Sequence, residues 1–188
     1  MSDSKSRRPS QAMVLAEAGV AAALAWVLSR LKIFQMPQGG SVSLELVPIL
    51  YLAFQRGAYP GVLAGLATGL LKLVTGAYVV HPAQAILDYM LASMVLGLAP
   101  LISFGRGIKR VVSGTVASSF LQFLCFLASG IVFFGEYAPE GTPVWRYSAV
   151  YNASFLIPEM VISAVVVAYL MKKGAFGDGF PKGKQKRR

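Results

Sequence analysis

The chain has 188 residues, of which 55% are hydrophobic and 14% are charged, and its formal net charge is +10. Soluble domains carry roughly 25% charged residues, so this composition excludes an ordinary soluble domain and indicates a chain embedded in a bilayer. The length fits one domain. The single cysteine, Cys125, excludes an intramolecular disulfide and a thiolate metal cluster.

Apolar segments follow one another along the chain, and a membrane span needs roughly 20 residues at about 1.5 Å each. The first segment is predicted to be a retained helix, since no small-residue cleavage site follows it. The second is short, is interrupted by Pro48 and is expected to begin in the loop before it. The predicted spans are residues 11–31, 43–54, 58–76, 82–103, 108–134 and 145–171.

This pattern predicts an all-α fold, an integral membrane bundle of six transmembrane helices. The membrane domain is expected to cover residues 11–173, between a basic amino-terminal segment, 1–10, and a basic disordered tail, 174–188. The tail is expected to lie near anionic lipid. Because the basic ends flank apolar spans, the lipid bilayer explains them and no nucleic-acid partner is predicted.

The distribution of basic residues predicts the orientation of the bundle. With six spans, one side collects both basic ends, the turn at Arg56 and the turn with Arg106, Lys109 and Arg110. Cytoplasmic loops are enriched in Lys and Arg, so both termini are predicted to be cytoplasmic.

Polar side chains within spans cost free energy unless they are partnered or hydrated, so each one is informative. Here they cluster toward the predicted outer half, among aromatic residues. They are predicted to line a cup that is open to the outside and suits a small, flat, cationic ring compound. The candidate substrate-binding residues are Gln84, Asp88, Tyr89, Gln122, Phe126, Phe134, Trp145, Tyr147, Tyr151 and Asn152, with Phe34 in an outer loop, residues 34–42, that is a candidate lid.

Several of these residues also have a plainer interpretation. Trp145 and Tyr147 lie at a span end, where aromatic residues are typically interface anchors. Asp88 can pair with Lys72, and Glu159 can be a structural hydrogen-bonding residue at a helix break caused by Pro158. The small residues Gly19 and Ala23, or in the next register Ala18 and Ala22, can serve packing within the bundle or docking of a partner membrane subunit.

Chemistry other than binding has little support in the sequence. The single histidine, His81, makes no metal site, and no Gly-Lys-Ser/Thr phosphate-binding loop is present. An enzyme is therefore not predicted, and neither is a cofactor. A stand-alone secondary transporter remains an alternative, although no inverted repeat is evident.

Two stretches carry a resemblance to a known family. The first contains Phe134-Gly135-Glu136-Tyr137-Ala138-Pro139, Gly141, Trp145-Arg146-Tyr147-Ser148, Tyr151-Asn152 and Pro158-Glu159. The second contains His81-Pro82-Ala83-Gln84 and Asp88-Tyr89. Together with Arg56-Gly57 and Pro60-Gly61 they resemble the thiamine-specific substrate-binding subunits, or S components, of energy-coupling-factor (ECF) transporters. The resemblance runs from about Leu15 to Lys172.

The resemblance implies a six-helix bundle in a bacterial plasma membrane that captures thiamine from outside without chemistry. It implies docking to a transmembrane coupling subunit driven by two cytoplasmic ATPase subunits, through the small residues Gly19 and Ala23, or Ala18 and Ala22. Transport in this family is thought to involve toppling of the binding subunit in the bilayer. A subunit for a thiamine precursor or another vitamin is the alternative within the same class.

The resemblance also implies roles for single residues. Asp88 matches a carboxylate that faces the thiazolium, and Tyr147 and Asn152 match positions that touch the pyrimidine. Three positions depart from the family: Glu is expected at Asp88, His at about Phe126 and Trp at about Phe134.

Overall fold

A computed structural model describes residues 10–37 and 39–174. These residues contain the six predicted helices: α1 (Gln11–Arg30), α2 (Leu46–Arg56), α3 (Ala58–Val74), α4 (Pro82–Ile102), α5 (Ile108–Phe133) and α6 (Val144–Lys173). Two short strands, β1 (Phe34–Gln35) and β2 (Ser41–Val42), form an antiparallel hairpin between α1 and α2. The predicted basic segment and tail lie outside the described residues, apart from Ser10 and Gly174.

The four long helices α1, α4, α5 and α6 are each long and apolar enough to cross a membrane. Large apolar side chains remain exposed along their outer faces, as at Val20 and Leu24 of α1 and at Val161 and Val165 of α6. Since an exposed apolar ring of this extent is not stable in water, these faces are the surface that contacts lipid.

Helix α2 lies at the centre of the bundle. Its 11 residues rise only about 16 Å, less than the roughly 30 Å of a hydrocarbon core. Ile49, Leu50 and Ala53 are fully buried, and α2 packs against α1, α3 and α6. Pro48 does not interrupt the helix: it lies in the first turn, where backbone N–H groups have no intrahelical partner to lose.

Helices α3 and α4 approach so closely that a side chain would not fit between them. A Cβ on Gly65 would overlap the carbonyl of Ser93, and a Cβ on Gly69 would overlap the carbonyl of Tyr89. The α4 backbone at this contact is irregular, with a π-helical segment over Ile86–Leu91. Glycines every fourth residue of α3 therefore seat the widened part of α4 that carries Asp88 and Tyr89.

The turn between α2 and α3 depends on Gly57, whose φ of 105° is a conformation that other residues rarely adopt. This turn allows α3 to begin two residues after α2 ends and to pack antiparallel against it. At the other end of the bundle, the hairpin of β1 and β2 leads into α2. We refer to these two ends as the Arg56 end and the hairpin end.

Helix α6 runs without interruption through Pro158, so the predicted helix break at that proline is wrong. Proline removes one backbone hydrogen bond but leaves the neighbouring turns intact. Packing contacts before and after Pro158 keep the backbone helical at this position. Val144–Lys173 packs along α5 over much of its length, and the buried Phe155 and Leu156 lie just before the proline.

Candidate ligand-binding cavity

A cavity of about 180 Å³ lies among α3, α4, α5 and α6, toward the hairpin end. Residues of the loop between the two strands, Gly39 and Gly40, close part of its rim. Gly40 sits directly against the ring of Phe155, where a side chain would collide, and its N–H donates to the Tyr151 hydroxyl at 3.4 Å. The hairpin loop therefore covers part of the cavity rim, at the position of the predicted lid.

Nine of the eleven candidate substrate-binding residues line this cavity: Gln84, Asp88, Tyr89, Gln122, Phe126, Phe134, Tyr147, Tyr151 and Asn152. The other two, Phe34 and Trp145, do not line it. Their side chains are 57% and 61% exposed, with Phe34 on β1 and Trp145 in the first turn of α6. Both positions suit an aromatic residue at the membrane interface.

The lysine that lines the cavity does not form the ion pair with Asp88 that the sequence offered as an alternative. The Lys72 ammonium contacts both carboxylate oxygens of Glu45, at 2.9 and 3.0 Å, and not the carboxylate of Asp88. The ammonium also lies 5.8 Å from the ring centre of Tyr89. Lys72 thus connects α3 to the start of α2 and is held over an aromatic wall of the cavity.

Asp88 is held by its neighbour one turn earlier. Its Oδ2 accepts a hydrogen bond of 2.7 Å from the Gln84 amide, whose nitrogen also donates to the Tyr78 carbonyl at 3.4 Å. The Gln84 carbonyl oxygen accepts from the Val80 N–H at 3.2 Å. The oxygen and the nitrogen of the Gln84 amide are therefore both hydrogen-bonded within the protein, and this fixed amide positions the Asp88 carboxylate.

Glu159 lies on the far wall, in α6, and is 5% exposed. Its Oε1 accepts hydrogen bonds from the Ser43 hydroxyl, at 2.7 Å, and from the Ser43 N–H, at 3.2 Å. Glu159 therefore fastens α6 to the segment that joins the hairpin to α2. It also adds a carboxylate to the cavity lining.

Aromatic rings form the remaining walls. Tyr147 and Tyr151 lie 5.9 Å apart, Tyr151 and Phe155 lie 6.0 Å apart with their rings edge to face, and Phe126 and Phe155 lie 6.1 Å apart. These separations fall within the favourable range for aromatic pairs. The wall offers π-faces to a flat ligand.

The mouth of the cavity is also aromatic. Phe134 packs against Tyr78 and Tyr137, with ring centres 6.5 and 6.2 Å away. A side-chain hydrogen bond with Tyr78 raises the pKa of Tyr137, so its phenol is neutral at physiological pH. The mouth therefore adds no charge from this phenol to the negative charge of the interior.

Asn152 uses its amide nitrogen within the protein. It donates to the Ser148 carbonyl at 2.9 Å, to the Ser148 hydroxyl at 3.3 Å and to the Phe126 carbonyl at 3.4 Å. These bonds link α6 to α5 and commit the nitrogen, so the group that Asn152 retains for a ligand is its carbonyl oxygen.

Several lining residues were not predicted to bind substrate: Gly39, Gly40, Ser41, Glu45, Leu46, Lys72, Tyr78, Ser129, Gly130, Tyr137, Ser148, Phe155 and Glu159. The sequence could have indicated Glu45, because it is a charged residue next to the apolar run of α2. The two hairpin glycines lie in the predicted lid, residues 34–42, but nothing in the sequence marks them as the lid residues that line the cavity.

The small residues of α1 separate into two groups. Ala18 and Ala22 are buried, and Ala18 packs with Leu52 and Ala64 inside the bundle. Gly19 and Ala23 are exposed, and nothing lies within 4 Å of the place where a Gly19 side chain would begin. Of the two registers, the structure makes only Gly19 and Ala23 available to a partner.

Comparison with known proteins places this chain among transporters. The family model described as "Thiamine transporter protein (Thia_YuaJ)" matches residues 15–176. The thiamine transporter ThiT of Bacillus subtilis (strain 168) is 39% identical over 147 residues, which are 72% of this chain and 77% of that protein. ThiT of Lacticaseibacillus paracasei is 32% identical over 176 residues, 86% of this chain and 88% of that protein.

Solved structures show the same fold. The structure of ThiT from Listeria monocytogenes is 27% identical, with a TM-score of 0.74, and the match covers 88% of this chain and 96% of that one. An S component of a bacterial ECF transporter, 19% identical, matches with a TM-score of 0.62 over 88% of this chain and 97% of its own. The predicted six-helix membrane fold and the predicted absence of enzymatic activity agree with these relatives. The chain belongs to the thiamine transporter protein family.

Proposed function

We propose that this chain is the membrane-embedded subunit that captures thiamine for import. The charge of the cavity is the observation that carries the proposal. Among the described residues, the lining includes three carboxylates, those of Glu45, Asp88 and Glu159, and one ammonium, that of Lys72. One ammonium balances one carboxylate, and Lys72 is already paired with Glu45. The Asp88 carboxylate therefore has no ion-pair partner among the described residues, and it favours a positively charged ligand.

The shape of the walls supports a flat, aromatic cation such as the thiazolium of thiamine. Rings of Phe126, Tyr151 and Phe155 offer stacking faces, and Asp88 supplies the counter-charge. The family resemblance gives Asp88 the thiazolium, and Tyr147 and Asn152 the pyrimidine. Phe126 and Phe134 stand where the family is expected to carry His and Trp, and both keep an apolar ring face on the cavity.

Titration calorimetry of the purified protein in detergent tests the proposal directly. We expect thiamine to bind one to one with a dissociation constant below about 1 µM. The pyrimidine precursor, which lacks the fixed positive charge, should bind at least about tenfold more weakly. A folded protein that does not bind thiamine, or that binds the neutral precursor more tightly, would contradict the assignment of thiamine as the ligand.

We further propose that the subunit delivers thiamine through an ECF coupling subunit and two ATPase subunits, with both termini in the cytoplasm. Four basic residues support this orientation, since they lie in the turns at the Arg56 end of the bundle or in the helix ends next to them: Arg56, Arg106, Lys109 and Arg110. The exposed pair Gly19 and Ala23 of α1 supports the docking face, because small residues allow a partner helix to approach closely.

A bulky residue on this face is expected to block import without affecting capture. In Gly19→Leu, thiamine affinity should stay within about twofold of the wild type, since Gly19 is exposed and does not line the cavity. Thiamine uptake by cells that express the coupling subunits, and co-purification with those subunits, should fall at least about fivefold, because the new side chain holds the partner helix away.

Val161→Leu on α6 is the matched control for this experiment. It adds bulk at an exposed apolar position on a different helix, and both uptake and complex formation should be preserved. Uptake that persists in Gly19→Leu would place the docking face elsewhere on the bundle.

A further inference from the structure

The corner of the bundle where α4 turns into α5 exposes large apolar side chains next to basic ones. Leu101 and Phe104 are 71% and 75% exposed, and Ile108 is 46% exposed. Arg106 and Lys109, in the same short stretch of chain, are exposed as well. We refer to these five residues as the corner patch, and they lie at the Arg56 end of the bundle.

Hydrogen bonds fix the shape of the turn that carries the corner patch. The Phe104 N–H donates to the Ser113 hydroxyl at 3.0 Å, and that hydroxyl donates to the Phe104 carbonyl at 2.8 Å. The Arg110 guanidinium donates to the Ser103 hydroxyl at 3.3 Å and to the Pro100 carbonyl at 3.4 Å. Both polar groups of the Phe104 backbone are therefore satisfied, while its apolar ring remains outside the protein.

The two basic side chains of the corner patch start close together. Gly105 has a φ of 84°, and this conformation brings the chain back onto α5, so that a Cβ on Gly105 would lie 3.1 Å from the Cβ of Lys109. Arg106 follows Gly105 directly in the chain. Neither Arg106 nor Lys109 has an ion-pair partner among the described residues.

Other cations at this end of the bundle are already engaged within the protein. Arg56 forms an ion pair with Glu17 at 2.6 Å, and the guanidinium of Arg110 holds the turn before α5. Within the two described turns at the Arg56 end and the helix ends next to them, Arg106 and Lys109 are therefore the cations that remain available to a partner.

The combination of side chains indicates the chemistry of that partner. Water would solvate the two cations but not the three exposed apolar side chains, and the hydrocarbon core would do the reverse. The boundary of a bilayer offers acyl chains to the apolar side chains and phosphate groups to the cations, as basic side chains near helix ends exploit.

We propose that the corner patch is a binding site for an anionic phospholipid. Arg106 and Lys109 hold the phosphate of the headgroup, and the Phe104 ring packs beside the acyl chains. This interaction is separate from the capture of thiamine. In the proposed orientation the lipid belongs to the cytoplasmic leaflet, where anionic lipids attract basic segments of membrane proteins.

Fluorescence quenching by brominated lipids tests the proposal in phosphatidylcholine vesicles. Phe104→Trp keeps an aromatic ring in the corner patch and adds a fluorescent reporter, and the signal of Trp26 and Trp145 is subtracted by use of the wild-type protein. Brominated phosphatidylglycerol should associate with the reporter at least about tenfold more strongly than brominated phosphatidylcholine, because each basic residue near an anionic headgroup contributes about fivefold. Salt at about 0.5 M should reduce this preference, since it screens exposed charges.

Removal of the two cations should abolish most of the preference. Arg106→Gln/Lys109→Gln, combined with Phe104→Trp, should lower the preference for phosphatidylglycerol to less than about threefold. The matched control is Lys32→Gln/Arg146→Gln with the same reporter, which removes two exposed cations at the hairpin end and should leave the preference unchanged. The melting temperature of each variant verifies that it is folded.

Two results would overturn the lipid site. One is equal association of the two brominated lipids with the reporter, and the other is a preference that survives the loss of both cations. If the loss of both cations leaves lipid association unchanged but lowers co-purification with the coupling subunits, the corner patch contacts a protein instead, and the lipid site is overturned as well.

The proposed function is tested separately from the lipid site. Lipid association is measured without thiamine, and neither Arg106 nor Lys109 lines the cavity, so the variant that lacks both cations should bind thiamine like the wild type. A wild type that shows the lipid preference but binds no thiamine would overturn the proposed function alone.

Discussion

Replacement of Asp88 by asparagine is expected to weaken thiamine binding at least about tenfold, which corresponds to about 1.4 kcal/mol. The substitution preserves the size of the side chain and its ability to accept from the Gln84 amide, now at 2.7 Å, but removes the negative charge. At a separation of about 4 Å and an effective dielectric constant near 20, opposite unit charges attract by about 4 kcal/mol, so the loss can exceed the tenfold minimum. Titration calorimetry measures the change.

Two comparisons make this result specific to the charge. Glu140→Gln removes a carboxylate from the exposed loop between α5 and α6, outside the cavity lining, and should leave affinity unchanged. The neutral pyrimidine precursor should lose less affinity than thiamine when Asp88 is replaced, because it carries no thiazolium. Thiamine affinity that is the same in Asp88→Asn and in the wild type would limit Asp88 to a structural bond with Gln84.

The helices were predictable because long apolar runs have few alternatives in a membrane. The predicted span of residues 82–103 agrees with Pro82–Ile102, and that of residues 108–134 agrees with Ile108–Phe133. The short strands of the hairpin were not predicted, since two residues each give no periodic signal. The effects of Pro48 and Pro158 were overestimated, because a proline is tolerated in a first turn or in a helix held by its neighbours.

The cavity was predictable only in its local parts. Gln84 and Asp88 are four residues apart on one helix, so sequence spacing alone indicates that they meet. Glu45 and Lys72 are 27 residues apart on different helices, and their pairing depends on how α2 and α3 pack. Sequence offered Asp88 as a partner for Lys72, and it could not weigh that choice against Glu45.

Phe34 and Trp145 show a second limit. Both occur near span ends among residues that do line the cavity, and Trp145 precedes Tyr147 by two positions. Neighbouring helical residues point in directions about 100° apart, so Trp145 and Tyr147 face different sides of α6, whereas Phe34 lies on β1 of the hairpin, which was not predicted. The orientation of each helix about its own axis is a property of the packed bundle.

Replacement of Lys72 by methionine is expected to cost about 3 kcal/mol of stability. The side chain of Glu45 is 11% exposed and that of Lys72 is 27% exposed, so the pair is largely removed from water. Loss of the ammonium leaves Glu45 without its partner and near Glu159, whose carboxylate is also buried. Thermal unfolding in one detergent should show a clearly lower melting temperature for Lys72→Met than for the wild type.

The double variant Lys72→Met/Glu45→Gln should recover most of that stability, because the unpaired charge is then removed as well. Lys32→Met, at an exposed loop position, is the matched control and should melt like the wild type. Equal melting temperatures of Lys72→Met and the wild type would show that the pair contributes nothing to the fold.

Thiamine itself provides the sharpest test of how the charges in the cavity are linked. A ligand that binds only the folded state stabilises it in proportion to the logarithm of its concentration over its dissociation constant. In Lys72→Met the Glu45 carboxylate no longer has its ammonium partner, so the thiazolium meets a cavity that carries one positive charge less. Saturating thiamine should therefore raise the melting temperature of this variant by more than it raises that of the wild type. A smaller rise would mean that Lys72 assists the ligand directly, and that the excess of carboxylates is not what selects a cation.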